Sequence, residues 1–184
     1  MKTFKLFLLI IISLTISNQV LSEDKILESL KEGGKIIFIR HAYAPGGGDP
    51  QNFNINDCST QRNLSDEGIN QSKLIGEFFK TNKIKIDKVL SSEWCRCKDT
   101  AKFAFNDFET FDALNSFFSA KFAKNEKKQI KDLKNYIKNW KSNKNLILVT
   151  HYVVISSILN IAVGSGEIVI SDKNYEIIGS IDTM

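Results

Sequence analysis

Of the 25 lysines and arginines in this 184-residue chain, only Arg40, Arg62 and Arg96 are arginines, and the two histidines are His41 and His151. A chain that otherwise uses lysine for positive charge keeps arginine where a planar, permanently charged fork can grip an oxyanion through parallel hydrogen bonds. Each histidine lies at the end of a short apolar run: Lys35 to Ile39 (KIIFI) leads into Arg40-His41-Ala42, and Asn145 to Thr150 (NLILVT) leads into His151. A single histidine in such a place is ordinarily a core residue bonded to backbone. Two of them beside two arginines point instead to a site, and the ligand that these groups suit is phosphate.

The elements that must hold these residues are legible in the pattern of the chain. Ile36 to Ile39 is a continuous apolar, β-branched run after Gly33-Gly34, as expected of a strand buried on both faces. Ser65 supplies an N-cap and Asp66-Glu67 an acidic first turn for a helix with Ile69, Leu74, Ile75, Phe78 and Phe79 on its apolar face, ending near Asn82. Ile86 to Leu90 reads as a second strand and Arg96 to Phe105 as a helix. Glu126 to Trp140 reads as an amphipathic helix burying Ile130, Leu133, Ile137 and Trp140. Leu146 to Val149 is the next buried strand, Tyr152 to Ile161 a helix, and Glu167 to Ser171 and Tyr175 to Ser180 two short strands joined by Asp172-Lys173-Asn174. Strands alternating with helices predict a three-layer α/β/α sandwich with a largely parallel sheet. In such sheets ligands bind outside the carboxyl ends of the strands, where both histidines fall.

Residues 1–22 read as a secretory signal peptide and residues 23–184 as one domain. Lys2 and Lys5 precede an uncharged stretch from Leu6 to Ile16, and Val20-Leu21-Ser22 carries residues suited to cleavage. Eleven apolar residues fall well short of the roughly 20 that span a bilayer, so stable membrane insertion after cleavage is not expected, and the protein is expected to be periplasmic or secreted. Cleavage would remove two lysines and no acid, lowering the net charge from +4 to +2. A charge that small argues against nucleic acid as a partner, and the Lys/Asn tract from Lys121 to Asn145 fits a solvated helix face.

Three cysteines allow one disulfide, Cys58 with Cys95 or with Cys97, or else three reduced thiols. Neither their spacing nor the alternating Asn52, Asn54 and Asn56 matches a metal-binding pattern. Pro45-Gly46-Gly47-Gly48-Asp49-Pro50 reads either as a flexible surface loop or as a lid or amide nest over an anion.

Arg40-His41-Ala42 after a strand, Ser91-Ser92-Glu93-Trp94-Cys95-Arg96 with Thr100-Ala101 at a second strand-to-helix junction, and Thr150-His151 after a third strand resemble the histidine phosphatase superfamily, the phosphoglycerate mutase-like proteins. The resemblance spans Lys35 to Ser180. The family's Arg-His-Gly signature has Ala42 at its third place here, and its Ser-Ser-x-x-x-Arg-x-x-x-Thr-Ala segment is matched in full. The resemblance implies that His41 is the nucleophile, that Arg40, Arg96 and His151 surround the transferring phosphoryl group, and that neither metal nor other cofactor is needed. Arg62, just before a helix, is placed as a substrate contact, with a surface ion pair as the alternative; Glu93 is a second candidate at the substrate.

The general acid is where the chain departs from the family. Many members carry a glutamate in a segment resembling Asp112 to Phe118, which here reads Ala113-Leu114-Asn115-Ser116, and others an aspartate after the second histidine, where this chain has Tyr152. Glu93, Asp57 and Glu167 are the candidates that remain, unless the leaving group, as in a phosphoramidate or acyl phosphate, is good enough to need little protonation. The expected function is an exported, metal-independent phosphatase that hydrolyses a small-molecule or glycan phosphomonoester through a phosphohistidine. A weakly catalytic module that binds phosphorylated envelope glycans or lipids is the rival expectation.

Overall fold

The computed structural model describes residues 23–183. The segment read as a signal peptide, residues 1–22, lies outside the described residues.

Six strands form one sheet: β1 (Ile36–Arg40), β2 (Ile86–Ser91), β3 (Glu109–Thr110), β4 (Asn145–Thr150), β5 (Ile168–Ser171) and β6 (Ile177–Ile181). Their spatial order is β3-β2-β4-β1-β5-β6. The first four are parallel, while β5 runs antiparallel to β1 and β6 antiparallel to β5. Every residue of β4 is buried, as a strand between two parallel neighbours and two helical layers must be. β1 and β4 pair in register from Ile36 with Leu146 to Arg40 with Thr150, which brings His41 and His151 off adjacent strand ends.

Five helices cover the sheet: α1 (residues 23–32), α2 (Asp66–Thr81), α3 (Cys95–Phe105), α4 (Glu126–Asn139) and α5 (Tyr152–Leu159). Alternate residues of β1 serve opposite faces, as the two-residue period of a strand requires. Ile36 and Phe38 pack with Leu133 and Ile137 of α4 and Val154 and Ile155 of α5. Ile37 and Ile39 pack with Ile26 and Leu30 of α1, Ile75 and Phe79 of α2, and Cys97 and Ala101 of α3. The result is the expected three-layer sandwich, with an antiparallel pair at one edge of its otherwise parallel sheet.

Local chemistry sets most element ends where the sequence places them. Ser65 caps α2, its Oγ accepting from Gly68 N at 3.2 Å, with Asp66 and Glu67 in the first turn. α5 stops two residues before Ile161 because Asn160 takes the left-handed conformation (φ +55°) that terminates a helix. β6 begins at Ile177 instead of Tyr175, since Tyr175 has φ +69° and Asp172 Oδ1 accepts from Asn174 N and Glu176 N, prolonging the turn. Two elements have no counterpart in the sequence reading: the two-residue β3, which is exposed, and α1, whose Ile26 and Leu30 form an i, i+4 pair.

Candidate active site

Three strand ends and two loops, 43–62 and 116–122, converge on a pocket of about 740 Å³. Arg40 and His41 leave β1, Trp94 and Arg96 open α3 after β2, and His151 leaves β4. The segment 43–62, between β1 and α2, closes the remaining side with Asp49, Phe53 and Arg62.

His41 is buried, and its Nδ1 lies 2.9 Å from the Ala42 carbonyl. A carbonyl only accepts, so Nδ1 carries the proton and Nε2 keeps its lone pair. The loop that provides this carbonyl is itself fixed. Ala42 N donates to Thr100 Oγ1 (3.0 Å), Thr100 Oγ1 donates to Arg96 O (2.7 Å), and Tyr43 N donates to Gln71 Oε1 (2.9 Å). Burial, with the charge of Arg96 behind it, holds the His41 pKa well below the usual histidine value, so the ring is neutral at pH 7.

His151 lies edge-on to His41, with ring centroids 5.5 Å apart. Its Nε2 is 2.9 Å from Ser92 Oγ, whose hydroxyl donates to Asn115 Oδ1 at 3.0 Å. Ser92 therefore accepts from His151 Nε2–H, and Nδ1 faces Arg96 Nη2 at 3.5 Å. Burial and then Arg96 lower the His151 pKa well below normal too. Both ring nitrogens thus face protein partners, Ser92 and Arg96, while the ring lines the pocket.

Arg96 is 3% exposed, and its fork is met by Asp49: Nη1 to Oδ1 at 2.7 Å and Nη2 to Oδ2 at 3.3 Å. Trp94 Nε1 and Arg62 N also donate to that carboxylate, at 3.0 and 3.1 Å. Burial pushes the Asp49 carboxyl up, but the hydrogen bonds and charge of Arg96 outweigh it and hold the group below the usual carboxylate range. Arg40 donates from Nη1 to Val163 O at 2.7 Å, and Arg62 donates from Nη1 to Ala44 O. Among the described residues, four buried side-chain polar atoms lack a hydrogen-bond partner, and three of them are the Nε of Arg40, Arg62 and Arg96. Unpartnered buried donors are rare, and these three belong to the three arginines that line the pocket, a concentration of positive charge suited to an anion.

The site residues expected from sequence therefore divide. Arg40, His41, Arg62, Arg96 and His151 line the pocket together. Glu93 does not line it; its Oε2 accepts from Asn115 Nδ2 at 2.6 Å and its N donates to Asn115 Oδ1. Asp57 is spent on a 3₁₀ turn, Cys58–Thr60, where its Oδ1 accepts from Ser59 N, and Glu167 Oε2 accepts from Gly164 N at 2.7 Å. The disulfide joins Cys58 to Cys95, the first residue of α3, leaving Cys97 a buried thiol 3.4 Å from His151 Nε2. Burial pushes that thiol up to about 12, so it stays protonated. Gly46 to Pro50, read from sequence as a surface loop or a cover over an anion, does line the pocket, but the pairing of Asp49 with Arg96 and the aromatic wall of Phe53, Trp94, Phe118, Phe122 and Tyr152 were not foreseen. The glycine run before Asp49 was their one local signal.

The architecture is the phosphoglycerate mutase-like fold. The chain superposes on the protein histidine phosphatase SixA complexed with tungstate at 12% identity and a TM-score of 0.55, covering 81% of this chain and 97% of that one. For phosphoglycerate mutase from Thermus thermophilus the values are 12%, 0.57, 80% and 98%. A phosphoserine phosphatase mutant from Entamoeba histolytica in complex with phosphoserine gives 20%, 0.54, 74% and 89%. No family model matches the chain, and no curated protein matches it in sequence. Likeness at these identities establishes the fold, and the resemblance drawn from the sequence motifs holds at that level.

Proposed function

We propose that this protein is an exported phosphatase that hydrolyses a phosphomonoester through a phosphohistidine at His41. The observation that carries the reading is the fixed tautomer of His41, with Nδ1–H held by the Ala42 carbonyl, in a pocket whose three arginines have unpartnered Nε–H donors. A neutral imidazole with its lone pair on Nε2 is a nucleophile at pH 7, and a covalent intermediate splits one hard displacement into two easier ones. Arg40, Arg62 and Arg96 balance the charge that spreads over the phosphoryl oxygens in the transition state. His151 holds Arg96 in place. The solved proteins of this fold include a phosphoserine phosphatase, which supports phosphomonoester hydrolysis, beside a protein histidine phosphatase and a phosphoglycerate mutase. The leader-like residues 1–22 and the Cys58–Cys95 disulfide support an oxidising compartment outside the cytoplasm.

The test is hydrolysis of 4-nitrophenyl phosphate by the protein and by His41→Ala, at pH 5 to 7 with EDTA present. The expected result is turnover that ignores the chelator and falls by at least roughly a thousandfold in the variant, with binding of inorganic phosphate retained. An intact His41→Ala rate refutes the nucleophile. Phosphate binding with no turnover by either protein would instead establish the binding-module reading, in which the aromatic wall takes a sugar face.

A further inference from the structure

Asp49 is the one carboxylate among the described residues that line the His41 pocket. It holds the guanidinium fork of Arg96 with two oxygens, much as two oxygens of a phosphoryl group would. Gly46, Gly47 and Gly48 precede it, with φ +92° at Gly46 and +79° at Gly48, conformations that glycine enters and leaves without a side-chain penalty. The three acids that the sequence offered for leaving-group protonation are held away from the pocket by Asn115, by Ser59 and by Gly164 N.

We propose that Asp49 is the acid–base residue of the reaction: the phosphoryl group takes Arg96 from it, and the freed carboxyl serves the leaving oxygen. This rests on the phosphatase reading above. A phosphomonoester monoanion brings one proton into the pocket. As its oxygens replace the carboxylate on Arg96, that proton passes to Asp49, which now neighbours negative charge instead of positive. The Nε2 lone pair of His41 forms the P–N bond while the ester P–O bond breaks, and the departing oxygen takes both the bonding pair and the Asp49 proton, leaving as the alcohol. Asp49, again a carboxylate, accepts a proton from the water whose oxygen attacks phosphorus, and the P–N pair returns to His41. Asp49 returns that proton to the phosphate, which departs as the monoanion, and the carboxylate goes back to Arg96. The charged or titratable groups that line the pocket with Asp49 are Arg96 from α3, Arg62 and Tyr43 from its own segment, Arg40, His41 and His151 from the strand ends, Tyr152 from α5, and Lys121; the cations among them favour the carboxylate, and the bound phosphoryl group offsets them.

The experiment compares an alkyl substrate, glycerol phosphate, with 4-nitrophenyl phosphate, whose leaving group departs without a proton. Asp49→Asn is expected to lose about a hundredfold or more in kcat on the alkyl ester and less than about tenfold on the aryl ester. His41→Ala is expected to lose both alike. Equal losses on the two esters in Asp49→Asn would make Asp49 a positioning residue for Arg96 and overturn the proposal. A gain on both, with tighter binding of inorganic phosphate, would make it a plug and overturn it too. A series of leaving groups on the unmodified protein needs no variant: a shallow dependence of kcat on leaving-group pKa is expected, and a steep one refutes the acid. If the unmodified protein turns over neither ester, both readings fall. If only the leaving-group dependence fails, the phosphatase stands and this inference does not.

Discussion

The Cys58–Cys95 disulfide is the covalent tie between the segment that carries Asp49 and Arg62 and the helix that carries Arg96. It closes a loop of 37 residues. The chain-entropy relation for a loop of that length gives a stabilisation of about 4 kcal/mol at 25 °C, exerted on the unfolded chain. The perturbation is reduction with a phosphine, or the double change Cys58→Ser with Cys95→Ser, which avoids leaving a lone thiol at the 1% exposed Cys95. For a domain of this size an m-value near 2 kcal/mol per molar urea is ordinary, so the urea midpoint is expected to fall by about 2 M. The assay is equilibrium urea unfolding followed by tryptophan fluorescence, since Trp94 adjoins Cys95 and stacks on Phe53 at 5.0 Å. The native fold is expected to survive, because Gln61 Oε1 still accepts from Cys95 N and Asp49 still holds Arg96. Thiol labelling of the denatured, unreduced protein is expected to find one thiol, Cys97. An unchanged midpoint at unchanged m would refute the reasoning that loop closure is what the bridge contributes, and three labelled thiols would refute the bridge.

Acidification should destabilise the protein, and the sign follows from the two histidines. Both have folded-state pKa values well below normal, so as pH falls through about 6.5 the unfolded chain takes up protons that the folded chain refuses. Each contributes a slope of up to about 1.4 kcal/mol per pH unit in that window, and urea midpoints measured from pH 7.5 to 5 should fall accordingly. Constant midpoints would mean that neither imidazole is held neutral. Gly68→Ala would place a Cβ 2.0 Å from Tyr43 O, forcing α2 off the loop that fixes His41, and should cost about 2 kcal/mol and roughly 6 °C in Tm. A variant with unaltered Tm and activity would show that the loop gives way freely.

How legible the molecule was depends on how far apart the interacting residues lie. β1 and β4 were readable because strands covered on both faces are continuous apolar runs, and α2 because its cap and first turn are local in sequence. β3 has two exposed residues and no apolar pattern to read. The Arg40-His41 pair and Arg96 were visible as residue types at strand ends. The partner of Arg96 was not, because Asp49 lies 47 positions away and its placement depends on how segment 43–62 folds across α3. Asn115 is similar: its role, holding Ser92 and Glu93 from 23 and 22 residues away, exists only once β2 and the segment after β3 meet. The aromatic wall draws on four separate segments and carries no shared spacing.

The in-register pairing of Arg40 with Thr150 has a consequence for how such a protein can change. The separation of His41 from His151 is set by the pitch of backbone ladders at the centre of the sheet, and His41 N itself donates to Thr150 O at 2.9 Å. Glycine-rich, aromatic and asparagine-rich loops supply the rest of the pocket without entering those ladders. The aim of His41 is thus written in a part of the chain that tolerates few edits, and most of the pocket wall in parts that tolerate many. Exchanging residues 50–56 or 116–125 between proteins of this fold would change the wall of the pocket while leaving in place Asp49, Asn115 and the hydrogen bonds that aim the imidazole.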